Sequence, residues 1–137
     1  MIAPKNFLTI LIATIVVGIV VILNPFPNDD LDFSIFIFDA VYLKDENSIK
    51  ITFSDTTNKS SFAVLEILGM ETTYHEEFEI TDSKFSKFVP LEVVPKYGWK
   101  TTPVTLEITY DNSIVKMKTE VHEEEQNASK VIFGLDD

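Results

Sequence analysis

The chain has 137 residues, with 22 Asp and Glu against 11 Lys, no Arg and no Cys. The formal charge of −11 repels nucleic acid phosphates and anionic leaflets, and the lack of Arg removes the usual bidentate clamp for phosphate or carboxylate. Without Cys there is no disulfide framework, thiol nucleophile or Cys-based metal site.

The first element is Phe7–Leu23, FLTILIATIVVGIVVIL, a run of 17 residues without a charge, in which only Thr9 and Thr14 are polar. As a helix it would be roughly 26 Å long at 1.5 Å per residue, close to the hydrocarbon thickness of a bilayer. A buried helix of a globular protein would carry a polar face, which this run lacks. The residues that follow, Leu23-Asn24-Pro25-Phe26-Pro27, are too large and too Pro-rich for signal peptidase. Lys5-Asn6 does not supply the small residue that a pilin-type leader needs. The pattern therefore predicts an uncleaved transmembrane helix over residues 7–23, preceded by a short cytoplasmic N-terminus of residues 1–6. Lys5 and the α-amino group lie before it, and Asp29, Asp30 and Asp32 after it. By the positive-inside rule the domain is expected on the extracytoplasmic side of the cell membrane. Pro25 and Pro27 stiffen a spacer over residues 24–32. Thr14 and Gly18 form a small-xxx-small pair that permits close helix contact.

From Phe33 the period changes to two. Phe33–Leu43 is apolar on both faces up to Phe38 and is then interrupted by Asp39. That pattern implies either burial on both sides or a change of sheet at a kink. Ile49, Ile51 and Phe53 alternate with Lys50, Thr52 and Ser54, as in a half-buried strand. Phe62–Leu68 is two-sided and stops at Gly69. Tyr74–Thr81 alternates, with His75, Glu77 and Glu79 on one face. Phe85–Val94 alternates less cleanly, and Pro90 marks it as an edge strand or bulge. Val104–Tyr110 alternates and is followed by Asp111-Asn112, two residues that tolerate left-handed backbone. A hairpin closed there pairs Glu107 with Lys116 outside, and sets Leu106 opposite Met117 and Ile108 opposite Val115 inside. About seven such strands joined by polar turns predict an all-β immunoglobulin or fibronectin III-like β-sandwich over residues 33–121, with a barrel of similar size as the alternative. Residues 122–137 read as an acidic tail with one apolar run, Lys130–Leu135. Ile132 and Phe133 of that run either add an eighth strand or add to a partner's sheet edge.

Candidate sites are few. His75 with Glu77, and His122 before three Glu, are possible metal ligands. However, a structural metal site usually needs four ligands and there is no HExxH spacing, and solvated polar faces explain both segments. Asp29, Asp30 and Asp32, and separately Asp45 and Glu46, lack the Asp-rich glycine loop of a calcium site. Glu66 and Glu76 sit among apolar neighbours without being marked as a catalytic pair, and no nucleophile frame is present. No catalytic residue, cofactor or small-molecule substrate is expected. In the loop Pro95–Lys100, Tyr97 and Trp99 are either interface anchors or, for Trp99, a plug at one end of the sandwich. Asn58-Lys59-Ser60 and Asn127-Ala128-Ser129 are N-glycosylation sequons in expected loops.

An N-terminal apolar run, Phe7–Leu23, followed by one Cys-free, Arg-less acidic sandwich over Phe33–Val121, resembles the membrane-anchored immunoglobulin-like envelope proteins of the archaellum stator type. The resemblance implies an archaeal, outward-facing domain that binds the surface layer, and it carries no residue roles. Two functions are therefore expected. One is a non-enzymatic, single-pass binding or anchoring protein of the cell envelope with a protein partner. The other is an accessory subunit of a multi-subunit membrane complex, with Thr14 and Gly18 at its helix contact.

Overall fold

A computed structural model describes residues 31–136 of the chain. The expected span over 7–23, with Thr14 and Gly18, lies outside the described residues. Among the described residues no helix is long and apolar enough to cross a membrane.

After a 3-10 turn at Phe33–Ile35, nine strands follow: β1 (Phe36–Leu43), β2 (Ser48–Asp55), β3 (Ser60–Ile67), β4 (Tyr74–Glu79), β5 (Lys84–Pro90), β6 (Pro103–Tyr110), β7 (Ser113–Glu120), β8 (His122–Glu123) and β9 (Ile132–Asp136). They form two sheets, β5-β2-β1-β8 and β4-β3-β6-β7-β9, packed as a β-sandwich. The barrel alternative is thereby excluded.

The β6–β7 hairpin has the register expected from charge and apolar pairing: Glu107 opposite Lys116, Leu106 opposite Met117, Ile108 opposite Val115. Asp111 takes φ 50. The other non-glycine residues with positive φ among the described residues are Asn47 and Asn58. Short polar side chains that bond locally tolerate this conformation best, so turn chemistry sets these corners.

β1 corrects both expectations for Phe33–Leu43. It neither is buried on both faces nor changes sheet. Phe36, Phe38, Ala40 and Tyr42 point inward, while Ile37 is 58% exposed. Asp39 stays in register opposite Thr52. It needs no kink because it faces outward and pairs with His122 Nε2 at 2.8 Å. β5 also differs, ending at Pro90 rather than Val94. The Lys130–Leu135 run supplies β9, antiparallel to β7, which places it in this sandwich rather than on a partner's edge.

The core comes from both sheets. Ile49, Ile51 and Phe53 are fully buried against Leu65, Ile67, Leu106, Ile108 and Val115. Phe36 stacks near Phe53 and meets Tyr110 edge to face at 5.3 Å. Along the side where β4 faces β5, Phe78 and Phe85 form a T-shaped pair at 5.0 Å. Lys87 Nζ lies 4.3 Å over the Phe78 ring and 3.0 Å from Glu76.

The strands define two poles. Phe36 pairs with Asp55, so the chain enters the domain at the pole that also carries the β2–β3, β4–β5 and β6–β7 turns. At the opposite pole lie the β1–β2 turn, the β3–β4 loop, the long β5–β6 loop and the β8–β9 loop with Glu123, Glu124 and Glu125.

Candidate functional site

The pole opposite the chain's entrance is the candidate site, built by the β3–β4 loop (68–73) and the β5–β6 loop (91–102). Its base is well tied. The backbone N–H of Leu91 donates to the Asn47 carbonyl at 2.9 Å, and Asn47 Nδ2 donates to the Leu91 carbonyl at 2.8 Å. The N–H of Leu68 donates to the Pro103 carbonyl at 3.0 Å. Gly69 takes φ +76, and a Cβ there would sit 1.9 Å from the Thr101 carbonyl oxygen. Only glycine lets the two loops approach this closely.

Above that base, apolar side chains are left bare. Val93 is 70%, Val94 46%, Tyr97 77% and Leu68 37% exposed. The cause is local. Pro90 ends β5, and Pro95 follows two residues after Val93, so Val93-Val94 cannot continue a ladder and turns outward. The loops flank an open cleft of about 450 Å³, lined in part by Met70, Glu71, Tyr74, Leu91 and Val93. A smaller one of about 240 Å³ reaches Val94, Pro95 and Tyr97. Lys96 Nζ lies 5.6 Å from the Tyr97 ring centroid.

The two aromatic residues of this loop part company. Trp99 is half-buried, and its ring lies 5.0 Å from Tyr42, where it closes the end of the core. Tyr97 points out. The other sequence candidates lie elsewhere. Ile132 is exposed on the outer face of β9, and Phe133 stacks on Phe33 at 4.8 Å. Asn58 and Asn127 are exposed in loops, but the Ser60 hydroxyl of the first sequon is buried and donates to Asp55.

The polar clusters serve the fold. His75 bridges Glu66 at 3.7 Å and Glu77 at 3.3 Å on the outer face of the five-stranded sheet. His122 is buried in the other sheet, with Nδ1 donating to the Glu123 carbonyl at 2.8 Å and Nε2 on Asp39. The two histidines therefore do not share a site with Glu77, and no three ligating side chains converge among the described residues. Glu66 and Glu76 lie on opposite faces of their sheet: Glu66 is paired with His75 across the strands, and Glu76 turns toward Lys87. Tyr74 donates to Glu76. That bond, with the one from Lys87, holds the Glu76 carboxyl below its usual range. Burial, together with the hydrogen bond to Glu76 and its negative charge, pushes the Tyr74 phenol up to about 12.

Asp55 had no signal in the sequence beyond its place before a turn. It is 1% exposed and accepts from the Thr57 N–H and hydroxyl, the Lys59 N–H, and the Ser60 N–H and hydroxyl, all within 3.0 Å. Burial pushes its carboxyl up, but the bonds from Thr57 and Ser60 outweigh burial and hold it below the ordinary value. The Thr57 hydroxyl gives its proton to Asp55, so at 3.0 Å it accepts from Tyr110.

The chain matches no family model, no curated protein and no solved structure.

Proposed function

We propose that the protein is a non-enzymatic binding or anchoring protein of the cell envelope, held by one N-terminal membrane span and carrying its domain outside the cytoplasm. The sandwich is read as immunoglobulin or fibronectin III-like. Supporting that reading, β5-β2-β1 faces β4-β3-β6-β7, so consecutive hairpins and crossovers distribute as in such domains. The observation that carries the functional reading is the asymmetry of the poles. The chain joins the domain at one end, and the bare apolar loops stand at the other. Eight-residue strands of about 3.3 Å per residue separate the poles by roughly 26 Å, which suits a tether at one end and a contact at the other. The non-enzymatic part is supported by the engagement of Asp39, Asp55, Glu76 and His122 in bonds within the fold. The resemblance to archaeal envelope proteins agrees with this picture.

Two treatments of cells making the full chain test it. The protein should stay in the membrane pellet after alkaline carbonate, and protease added outside intact cells should cut the spacer near residues 24–32 and release the domain. Release by carbonate would remove the span, and protection from external protease would place the domain inside.

A further inference from the structure

The two N-glycosylation sequons meet opposite conditions in the fold. A transferase has to engage the acceptor amide and the hydroxyl two residues on together, which is why the motif has that spacing. At Asn58-Lys59-Ser60 the hydroxyl is already taken. Ser60 is 8% exposed, and its hydroxyl donates to Asp55 Oδ2 at 2.7 Å, beside its own N–H at 3.0 Å on the same oxygen. Asn58 is held as well, with φ 56 and its N–H donating to the Asp55 carbonyl at 3.2 Å. Engaging this sequon requires opening the turn that Asp55 locks. Asn127-Ala128-Ser129 is built the other way. It lies in the β8–β9 loop, outside any strand, with Asn127 and Ala128 exposed and Ser129 half-buried. The segment is tied on both sides. Before it, the Gln126 N–H donates to the Glu123 carbonyl at 3.1 Å, and the Glu123 N–H donates to Gln126 Oε1 at 3.2 Å. After it, the Thr119 hydroxyl donates to the Lys130 carbonyl at 3.1 Å. Between these ties, neither the Asn127 amide nor the Ser129 hydroxyl bonds to another side chain among the described residues.

From this contrast we infer that Asn127 is an N-glycan acceptor and that Asn58 is not. The inference rests on the reading above that the domain lies outside the cytoplasm. The co-substrate is an oligosaccharide carried on a lipid phosphate or pyrophosphate. Asn127 Nδ2 attacks the anomeric carbon of its first sugar, and the bond from nitrogen to that carbon forms. The bond from that carbon to the phosphate oxygen breaks, the lipid phosphate leaves with the electron pair, and one of the two amide protons is released to solvent. The folded domain can take part without rearrangement, because the loop presents all three residues and supplies no side chain to the core. Asn58 could react only in a chain whose β2–β3 turn is open. A glycan at Asn127 adds bulk and hydration at the pole opposite the chain's entrance, next to Glu123, Glu124 and Glu125.

The test is mass spectrometry of the full chain purified from cells of the source organism, read as intact mass and as peptides fragmented so that a glycan stays on its residue. The parent should be heavier than its sequence by a discrete glycan, carried on the peptide that contains Asn127. Asn127→Gln and Ser129→Ala should each abolish the added mass, and Asn58→Gln should leave it in place. Ser129→Ala keeps the amide, so its effect shows that the hydroxyl two residues on is read. An unmodified Asn127, added mass that survives Ser129→Ala, or a glycan on Asn58 at equal or higher occupancy would each overturn the inference. External protease on the same intact cells separates this outcome from the anchoring reading. A domain that is cut from outside and bare at Asn127 sinks the glycan site alone, whereas one that is protected and bare sinks both.

Discussion

The two poles of the sandwich are built in opposite ways. At the pole where the chain enters, the β2–β3 turn is locked from inside. Asp55 collects five hydrogen bonds from three turn and strand residues, and Tyr110 ties that turn to the other sheet. Apolar side chains are exposed near that end too, Ile37, Phe62 and Ile114 among them, but they stand on the strands and not in the turns. At the opposite pole the loops are tied to their base through Asn47 with Leu91 and through Leu68 with Pro103, and residues 95–102 bond among themselves, while Val93, Val94 and Tyr97 stand in water. Apolar side chains that are in water both folded and unfolded return no folding free energy, so their use is to be sought outside the domain. Stability is concentrated at one pole and contact surface at the other.

The largest effect is expected from breaking the locked pole. Asp55→Ala leaves several N–H and hydroxyl donors without their acceptor, and should destabilise the domain by about 3 kcal/mol in urea denaturation. A loss below about 1 kcal/mol would show that water replaces the carboxylate freely. The same carboxyl sets an acid limit. Its pKa is lower folded than unfolded, so its contribution is complete above the unfolded value near pH 4 and drains away as pH falls through the lower folded value. Acid titration of the parent should therefore show stability falling below about pH 4, and Asp55→Asn should flatten that fall.

At the loop pole, two glycines offer a sharper comparison. Gly69→Ala meets both a left-handed backbone and the Thr101 carbonyl, whereas at Gly98, with φ +82, an added methyl group would have nothing within 4 Å. Gly98→Ala should cost about 1 kcal/mol from backbone strain alone, and Gly69→Ala distinctly more. Hydrogen exchange should locate the Gly69→Ala effect at the Leu68 amide, which bonds Pro103, and leave the Lys59 and Ser60 amides protected. Loss of protection at both poles together would mean that they unfold as one unit.

Much of the fold was legible because burial on one face writes itself into alternation. Ile49, Ile51 and Phe53 and the β6–β7 hairpin were readable from residue types, since a register slip there would expose apolar side chains or bury charge. β1 was misread because Ile37 faces solvent, and a hydrophobic residue outside looks in sequence like one inside. The Asp39–His122 contact spans 83 positions and has no local signature. Of the candidate site, Tyr97 and Trp99 were visible as a pair, but the structure divides them into a projecting residue and a plug. Val93 and Val94 were absorbed into a strand. The signal that was available was Pro90 with Pro95, which together leave no ladder for the valines between them to join.

The smallest effect on folding is expected from the residues with the largest proposed role in contact. Val93→Ser, Val94→Ser and Tyr97→Ser combined should change folded stability by less than about 0.5 kcal/mol, because side chains that are bare in the native state lose little when truncated. Thermal melts of parent and triple variant in matched buffer are sufficient to measure this. If the variant instead melts well below the parent, the three side chains are packing in solution, and the loop pole is part of the core rather than a surface. A melt equal to the parent's, or slightly higher, keeps the division between the poles and leaves the apolar tip with no structural task.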